Sequence, residues 1–181
     1  MKRRIWSLVG VAAIVAITVP AFVETPAHLI WNVTPSAPVG LYRVDPKAQP
    51  ELHDLVALDA PEALESLLAE RGYLPPNIPL LKHVVGLPGQ IVCRVGRTIT
   101  VDGAVMGMAQ EHDSFGRPMP VWQGCQRIAA DDIFLMNPAV ETSLDGRYFG
   151  PMPVQSIIGR AVSLWTDEDR ASPIQGRVNS Q

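Results

Sequence analysis

Hydrophobic and polar positions divide the chain into an apolar start, a long middle of short alternating runs, and a polar end. Lys2, Arg3 and Arg4 precede an uncharged apolar run over residues 5–23, closed by Glu24. About 20 such residues in a helix, rising about 1.5 Å each, span the hydrocarbon core of a bilayer. A cleaved secretory signal is the rival reading. Its apolar core is usually only about 7 to 15 residues, and Pro20-Ala21-Phe22 is a poor cleavage site, so a retained single-pass anchor is expected. The leading basic residues hold the N-terminus in the cytoplasm and place everything after Glu24 across the membrane.

Beyond the anchor the apolar runs are short and punctuated by Gly, Pro and Asp. Leu41-Tyr42-Arg43-Val44 alternates as a strand up to the turn signal Asp45-Pro46, and Leu55-Val56-Ala57-Leu58 reads as a second strand. From Ala60 to Gly72 the signals are helical: Pro61 and Glu62 at the front, Leu64, Leu67 and Leu68 on one side, Gly72 as the stop. With its acidic outer face this helix is expected to be an amphipathic surface insertion. Leu80 to Gly86 is an apolar strand, and β-type runs follow at 91–95, 98–101, 127–128, 133–136 and 157–164, with a turn at Asp102-Gly103. The expectation is a mostly β fold with one N-terminal transmembrane helix and one short helical insertion. It divides into 1–24 as cytoplasmic start and anchor, 25–166 as a periplasmic β-rich domain, and 167–181 as a polar tail.

Composition supports the anchor. Of 181 residues 47% are hydrophobic and only 18% charged, so part of the apolar content belongs in a membrane. A net charge of −3 without a Lys/Arg run gives no nucleic-acid footprint. His28, His53, His83 and His112 show no metal-ligand spacing, and neither a phosphate loop nor a dinucleotide fingerprint occurs, so no metal and no cofactor is expected. Cys93 and Cys125 are the only cysteines. In an oxidising compartment they are expected to pair, which in the chain-entropy view stabilises by about 3.7 kcal/mol, with two buried reduced thiols as the alternative.

Two residues stand out chemically. Ser36 lies between Pro35 and Pro38, which fix φ and keep the surrounding segment out of helix. It is either an ordinary turn hydroxyl or a displayed nucleophile. Lys82 is a lone cation inside an apolar strand. It is either an edge-strand Lys with its ammonium in water, or a buried amine whose pKa is pulled down from about 10.4 far enough to serve as a general base. Ser with such a Lys replaces the His-containing triad of other serine hydrolases.

Three segments carry a resemblance: Thr34-Pro35-Ser36-Ala37-Pro38-Val39-Gly40-Leu41-Tyr42, then Leu81 to Gly89, then Ser143-Leu144-Asp145-Gly146-Arg147-Tyr148-Phe149-Gly150-Pro151. In order, they resemble the motifs of membrane-anchored type I signal peptidases. The short Ser-x-Pro-x-Gly-Leu-Tyr form looks most like the conjugative-transfer branch, the TraF-type peptidases that mature pilin precursors. The resemblance implies Ser36 as nucleophile, Lys82 as base, Ser143 as the hydroxyl orienting the Lys amine, and Asp145 with Arg147 as a supporting polar pair. It further implies that the Thr34 hydroxyl and the Ser36 N–H form the oxyanion hole. A plain surface ion pair is the other reading of Asp145 and Arg147. General signal peptidases have Gly-Asp-Asn where this chain has Met136-Asn137-Pro138, and Ser where Gly146 stands. They also have one more residue between Ser and Pro, a difference that fits the conjugative branch.

What the resemblance implies is a membrane-bound serine endopeptidase. Its substrate would be the signal or leader segment of an exported precursor, above all a conjugative pilin precursor, with small residues near the cut and with cyclisation as one outcome. Its partners would be the membrane, that precursor and the conjugation machinery. The rivals are a housekeeping signal peptidase, an inactive anchored scaffold for pilus assembly, and a self-cleaving repressor; the anchor and the lack of a DNA-binding helix pair oppose the last.

Overall fold

The structure is a computed structural model that describes residues 29–168, together with Val15 and Thr18 of the preceding stretch. The expected membrane helix over 5–23 lies outside this range apart from those two residues, as does the tail from 169 onward. Among the described residues no helix is long and apolar enough to cross a membrane.

The described chain opens with strands β1 (Leu29–Asn32), β2 (Gly40–Asp45) and β3 (Leu55–Leu58), then helix α1 (Glu62–Glu70) and strand β4 (Leu80–Gly86). A run of hairpins follows: β5 (Ile91–Val95), β6 (Thr98–Val101), β7 (Ala104–Met108) and β8 (Gly124–Arg127). The last elements are β9 (Asp132–Met136), the single helical turn α2 (Gly146–Phe149), β10 (Met152–Pro153) and β11 (Ile157–Thr166). Pairing is antiparallel throughout and makes two sheets, ordered β1-β2-β11-β3-β4-β9-β10 and β7-β6-β5-β8.

The mostly β expectation therefore holds, and most strands fall where alternation and breakers predict them. The helix is shorter than its signals, Glu62–Glu70, because Pro61 serves as its N-cap and Arg71 as its C-cap. β1, β7, β10 and α2 are additional. Of the 127–128 run only Arg127 is in a strand, as the end of β8, whose residues are all exposed, while Ile128 just after it is buried.

Burial explains the position of β4. Six of its seven residues are buried and only His83 is half-buried, so the strand shows no polar face. It lies between β3 and β9, with Lys82 opposite Val56. One apolar cluster gathers Val56, Leu58, Val84, Ile133 and Leu135 with Leu64 and Leu68 of α1. A second joins Val85 and Phe134 to Val92, Ile99 and Val101 of the smaller sheet. α1 is thus a lid on the first cluster, held by its Leu side chains while its acids face outward.

Cys93 and Cys125 face each other across β5 and β8 and form a disulfide. The bond closes a separation of 32 residues that contains β6, β7 and the segment after them. Replacing both cysteines by Ala is expected to lower the unfolding free energy by about 3–4 kcal/mol in urea titrations of the detergent-solubilised protein. An unchanged midpoint would show that the bond contributes nothing.

Candidate active site

The segment that carries Ser36 is a tight turn whose backbone groups are taken up by side chains. Asn32, at the end of β1, places Nδ2 2.9 Å from the carbonyls of Thr34 and Ala37 and 3.1 Å from that of Pro38. Its Oδ1 accepts from the Thr34 N–H at 3.1 Å and from the Thr34 hydroxyl at 2.8 Å. The Tyr42 hydroxyl donates to the Pro38 carbonyl at 2.7 Å. Gly40 has a different reason: a Cβ there would stand 2.1 Å from the Trp165 carbonyl oxygen, so only glycine lets β2 pair closely with β11. The Ser36 hydroxyl sits 3.1 Å from that of Thr34. Since the Thr34 proton is given to Asn32, the Ser36 hydroxyl is the donor of this pair.

Lys82 is not on an edge strand. It projects from central β4 with 3% of its surface exposed, and Nζ donates to Ser143 Oγ at 2.7 Å. Burial lowers its pKa from 10.5 to about 8, opposed by the Asp145 carboxylate and assisted by the Arg147 guanidinium. At pH 7 roughly one Lys82 in ten is a free amine, against about one in 2,500 for a solvated Lys.

Asp145 and Arg147 are buried, and the surface ion pair is excluded. Arg147 holds both carboxylate oxygens, through Nε to Oδ1 at 2.9 Å and Nη2 to Oδ2 at 2.8 Å. Its remaining donors reach the carbonyls of Asn137, Val140 and Glu141. Asp145 also caps α2 by accepting from the Arg147 N–H, and it takes the Asn137 N–H at 3.0 Å. The pair thereby ties 137–141 to α2 and fixes the connection that presents Ser143. Gly146 beside it is packed so tightly that a Cβ would lie 2.5 Å from the Phe134 ring and 2.8 Å from the Leu135 carbonyl oxygen, which leaves no room for the Ser of general signal peptidases.

One residue joins the two halves of the site. Asn137 Nδ2 donates to the carbonyl of Ser36 at 2.5 Å and to that of Leu81 at 3.0 Å, the residue before Lys82. Its Oδ1 accepts from the His83 N–H at 3.2 Å and stands 3.0 Å from His83 Nδ1. Thr34, Ser36, Lys82 and Ser143 all face one cleft of about 390 Å³. Within it the Ser36 hydroxyl bonds to Thr34 and the Lys82 amine to Ser143, rather than to each other. α1 is more than a surface insertion, because Leu68, with Tyr73 and Leu74 just after the helix, forms a wall of that cleft.

The signal peptidase, peptidase S26, family matches residues 1–166. This chain belongs to that family. It is 36% identical over 145 residues to a probable conjugal transfer protein TraF of Sinorhizobium fredii, covering 75% of this chain and 76% of that protein. To the conjugal transfer protein TraF of Agrobacterium fabrum it is 31% identical over 175 residues, covering 91% and 97%. A signal peptidase I structure from Enterococcus faecalis V583 aligns with a TM-score of 0.38 at 17% identity, over 62% of this chain and 97% of that one. The sequence-based assignment to this family is correct.

Sequence reasoning brought Thr34, Ser36, Lys82, Ser143, Asp145 and Arg147 into view, and the fold gathers all six. It passed over Asn32 and Asn137. Asn137 left a trace as part of Met136-Asn137-Pro138, read only as a departure from Gly-Asp-Asn.

Two outcomes follow. Asn137→Ala removes partners from the carbonyls of Ser36 and Leu81 and from the His83 N–H. It should cost about 2–4 kcal/mol in urea unfolding and speed amide exchange over residues 34–38. Lys82 supplies the second. Below pH 8 it is charged in both states, and the folded protein bears the whole burial cost, about 3 kcal/mol. Between about 8 and 10.5 the folded state has lost the proton that the unfolded state still binds, so stability rises with pH and levels off above. Lys82→Met should therefore be the more stable protein at pH 7, by about 2 kcal/mol after the loss of the Ser143 bond, with the advantage disappearing by pH 10.5. Parallel denaturation at pH 7 and pH 10 measures it.

Proposed function

We propose that the chain is a membrane-bound serine endopeptidase of the conjugative-transfer branch, in which Ser36 and Lys82 form the catalytic dyad. The observation that carries this reading is the buried Lys82 amine, with a pKa of about 8, held by Ser143 in the cleft onto which Ser36 opens. A structural Lys gains nothing from such burial, whereas a general base needs it.

In the proposed reaction the Ser36 hydroxyl turns from Thr34 towards the neutral Lys82 amine. Nζ takes its proton as Oγ attacks the scissile carbonyl carbon. The oxyanion is met by the Ser36 N–H and by the Thr34 hydroxyl, which must release Asn32 to donate. Protonated Lys82 returns its proton to the leaving amine, and the C–N bond breaks to give an acyl-enzyme on Ser36. Water activated by the same amine opens the ester. If the substrate's own N-terminal amine opens it instead, the product is a cyclic polypeptide. Ser143 keeps Nζ in line through the cycle, and the Asp145–Arg147 pair keeps Ser143 in place.

The substrate proposed is a conjugative pilin precursor, in keeping with the conjugal transfer names of the relatives. The proposed location is the periplasmic face of the inner membrane, with the N-terminus cytoplasmic and the domain anchored by residues 5–23. Two features support it. The disulfide suits an oxidising compartment. Leu29, Trp31, Val33, Leu164 and Trp165 are also exposed near the start of the domain, with the Trp31 and Trp165 rings stacked 5.6 Å apart, as suits a membrane interface.

Co-expression with candidate precursors, followed by mass measurement of the products, separates a hydrolysed product, a cyclic one and no reaction. Ser36→Ala and Lys82→Ala should each abolish processing while the proteins stay folded and membrane-bound. The wild-type rate should rise close to tenfold per pH unit below about 8 and then level off. Full activity of Lys82→Ala would sink the dyad.

A further inference from the structure

Two donors from the smaller sheet reach across to α2. Arg94 of β5 is buried, and among the described residues it pairs with no carboxylate. A buried guanidinium without a counter-ion is costly, and here only carbonyls answer it: Arg147 at 2.6 Å and Pro120 at 3.3 Å from Nη1, with Gly96 at 3.3 Å from Nε. Its Cζ stands 6.0 Å from the centre of the Tyr148 ring. Trp122, just before β8, donates from Nε1 to the Gly146 carbonyl at 3.2 Å. Helix ends leave carbonyls without partners inside the helix, and in the single turn α2 two consecutive ones are held from the smaller sheet. The turn that carries Arg147, and with it the connection presenting Ser143 to Lys82, is thus braced from outside the main sheet.

The Cys93–Cys125 bond sets where these donors stand. Side chains alternate along β5, so Cys93 lies on the outer face while Arg94, the next residue, points inward. Gly124 of β8 stands opposite Arg94, and Trp122 is two residues before it. β8 is an edge strand of four exposed residues whose only strand partner among the described residues is β5. Few backbone bonds hold it there without the disulfide. Cys125 is itself exposed, which leaves the bond open to thiols.

We propose that Arg94 and Trp122 are positioning residues that keep Lys82 in its buried setting through α2, and that the Cys93–Cys125 disulfide is a redox latch on both. The catalytic consequence rests on the reading of Lys82 as base, to which the latch adds regulation. A dithiol opens the latch: one of its thiolates attacks Cys125 Sγ, the S–S bond breaks to free the Cys93 thiol, and the second thiol displaces Cys125. The dithiol leaves as a disulfide, two electrons and two protons having passed to the two cysteines. β8 then loosens, Arg94 and Trp122 lose their hold on α2, and water reaches the Lys82 amine. Relief of burial favours its charged form, so less free base remains at neutral pH.

The state of Lys82 is measured without any substrate. Full-length Ser36→Ala protein in detergent micelles, oxidised or reduced with dithiothreitol, is acetylated with a trace of acetic anhydride across a pH series, well below the thermal midpoint of each variant. Mass spectrometry of the peptides reads Lys82 against the exposed Lys47. Lys82 should titrate near pH 8 in the oxidised protein. Reduction, Cys93→Ser with Cys125→Ser, and Arg94→Met should each lower its free-amine fraction at pH 7 at least about threefold and leave Lys47 unmoved. Because the latch acts through Arg94, reduction should add less than about twofold in the Arg94→Met protein. Should Arg94→Met not fold, Trp122→Phe, which removes only the indole N–H, carries the same expectation. A Lys82 titration untouched by reduction, or a reduction effect as large in these variants as in their parent, overturns the proposal. So does a Lys82 that takes no label below pH 10 in the oxidised protein. If the labelling shifts as expected while Lys82→Ala still processes a co-expressed precursor, the latch stands and the dyad reading falls.

Discussion

The site depends on a charged side chain being forced into an apolar sheet. Lys82 occupies a central strand opposite Val56, and the fold accepts a cost of about 3 kcal/mol at neutral pH to hold it there. That cost is tolerable because the surrounding polar groups are each satisfied: Ser143 meets the amine, and Arg147 and Asp145 meet one another and the backbone around Ser143. The same low-dielectric setting that penalises the ammonium makes the free amine available. Destabilisation of the charged form and readiness to accept a proton are here one physical fact.

Around that constraint the structure solves a problem of alignment. The Ser36 turn and the Lys82 strand are far apart in sequence and are not neighbours in the sheet, since β11 and β3 lie between β2 and β4. Asn32 shapes the turn from within and Asn137 pulls it onto β4 from outside, each through paired donors and an acceptor on one planar amide. An amide suits both places: it serves carbonyl and N–H groups at once and carries no charge that would disturb the Lys82 equilibrium.

The sequence was legible where local physics decides the outcome. Leu55–Leu58 and Ile91–Val95 alternate or run apolar between breakers, and they appear as strands with those bounds. α1 lost its ends because Pro61 and Arg71 cap it, a matter of one residue's dihedrals that periodicity does not register. β1 was missed because four residues ending in Asn become a strand only by pairing with β2, and β7 because its residues are largely exposed and include Gly107. Ser36, Lys82 and Ser143 were legible together through the resemblance of three segments to the motifs of one family. Asn32 and Asn137 were not, because an Asn that bonds to remote carbonyls looks in sequence like any turn Asn. The helical insertion was legible as an amphipathic helix with a buried face, and only the fold shows that this face continues into the cleft.

The place of β11 between β2 and β3 governs when the site can exist. The ribbon bearing Ser36 is paired to the rest of the main sheet through β11, the last described strand, which pairs with β2 on one side and β3 on the other. In a chain made N-terminus first, Ser36 and Lys82 both appear long before the strand that joins their halves. Until residues 157–166 arrive, Ser36 and Lys82 belong to separate pieces of sheet. The fold thereby withholds the complete cleft until the domain is whole.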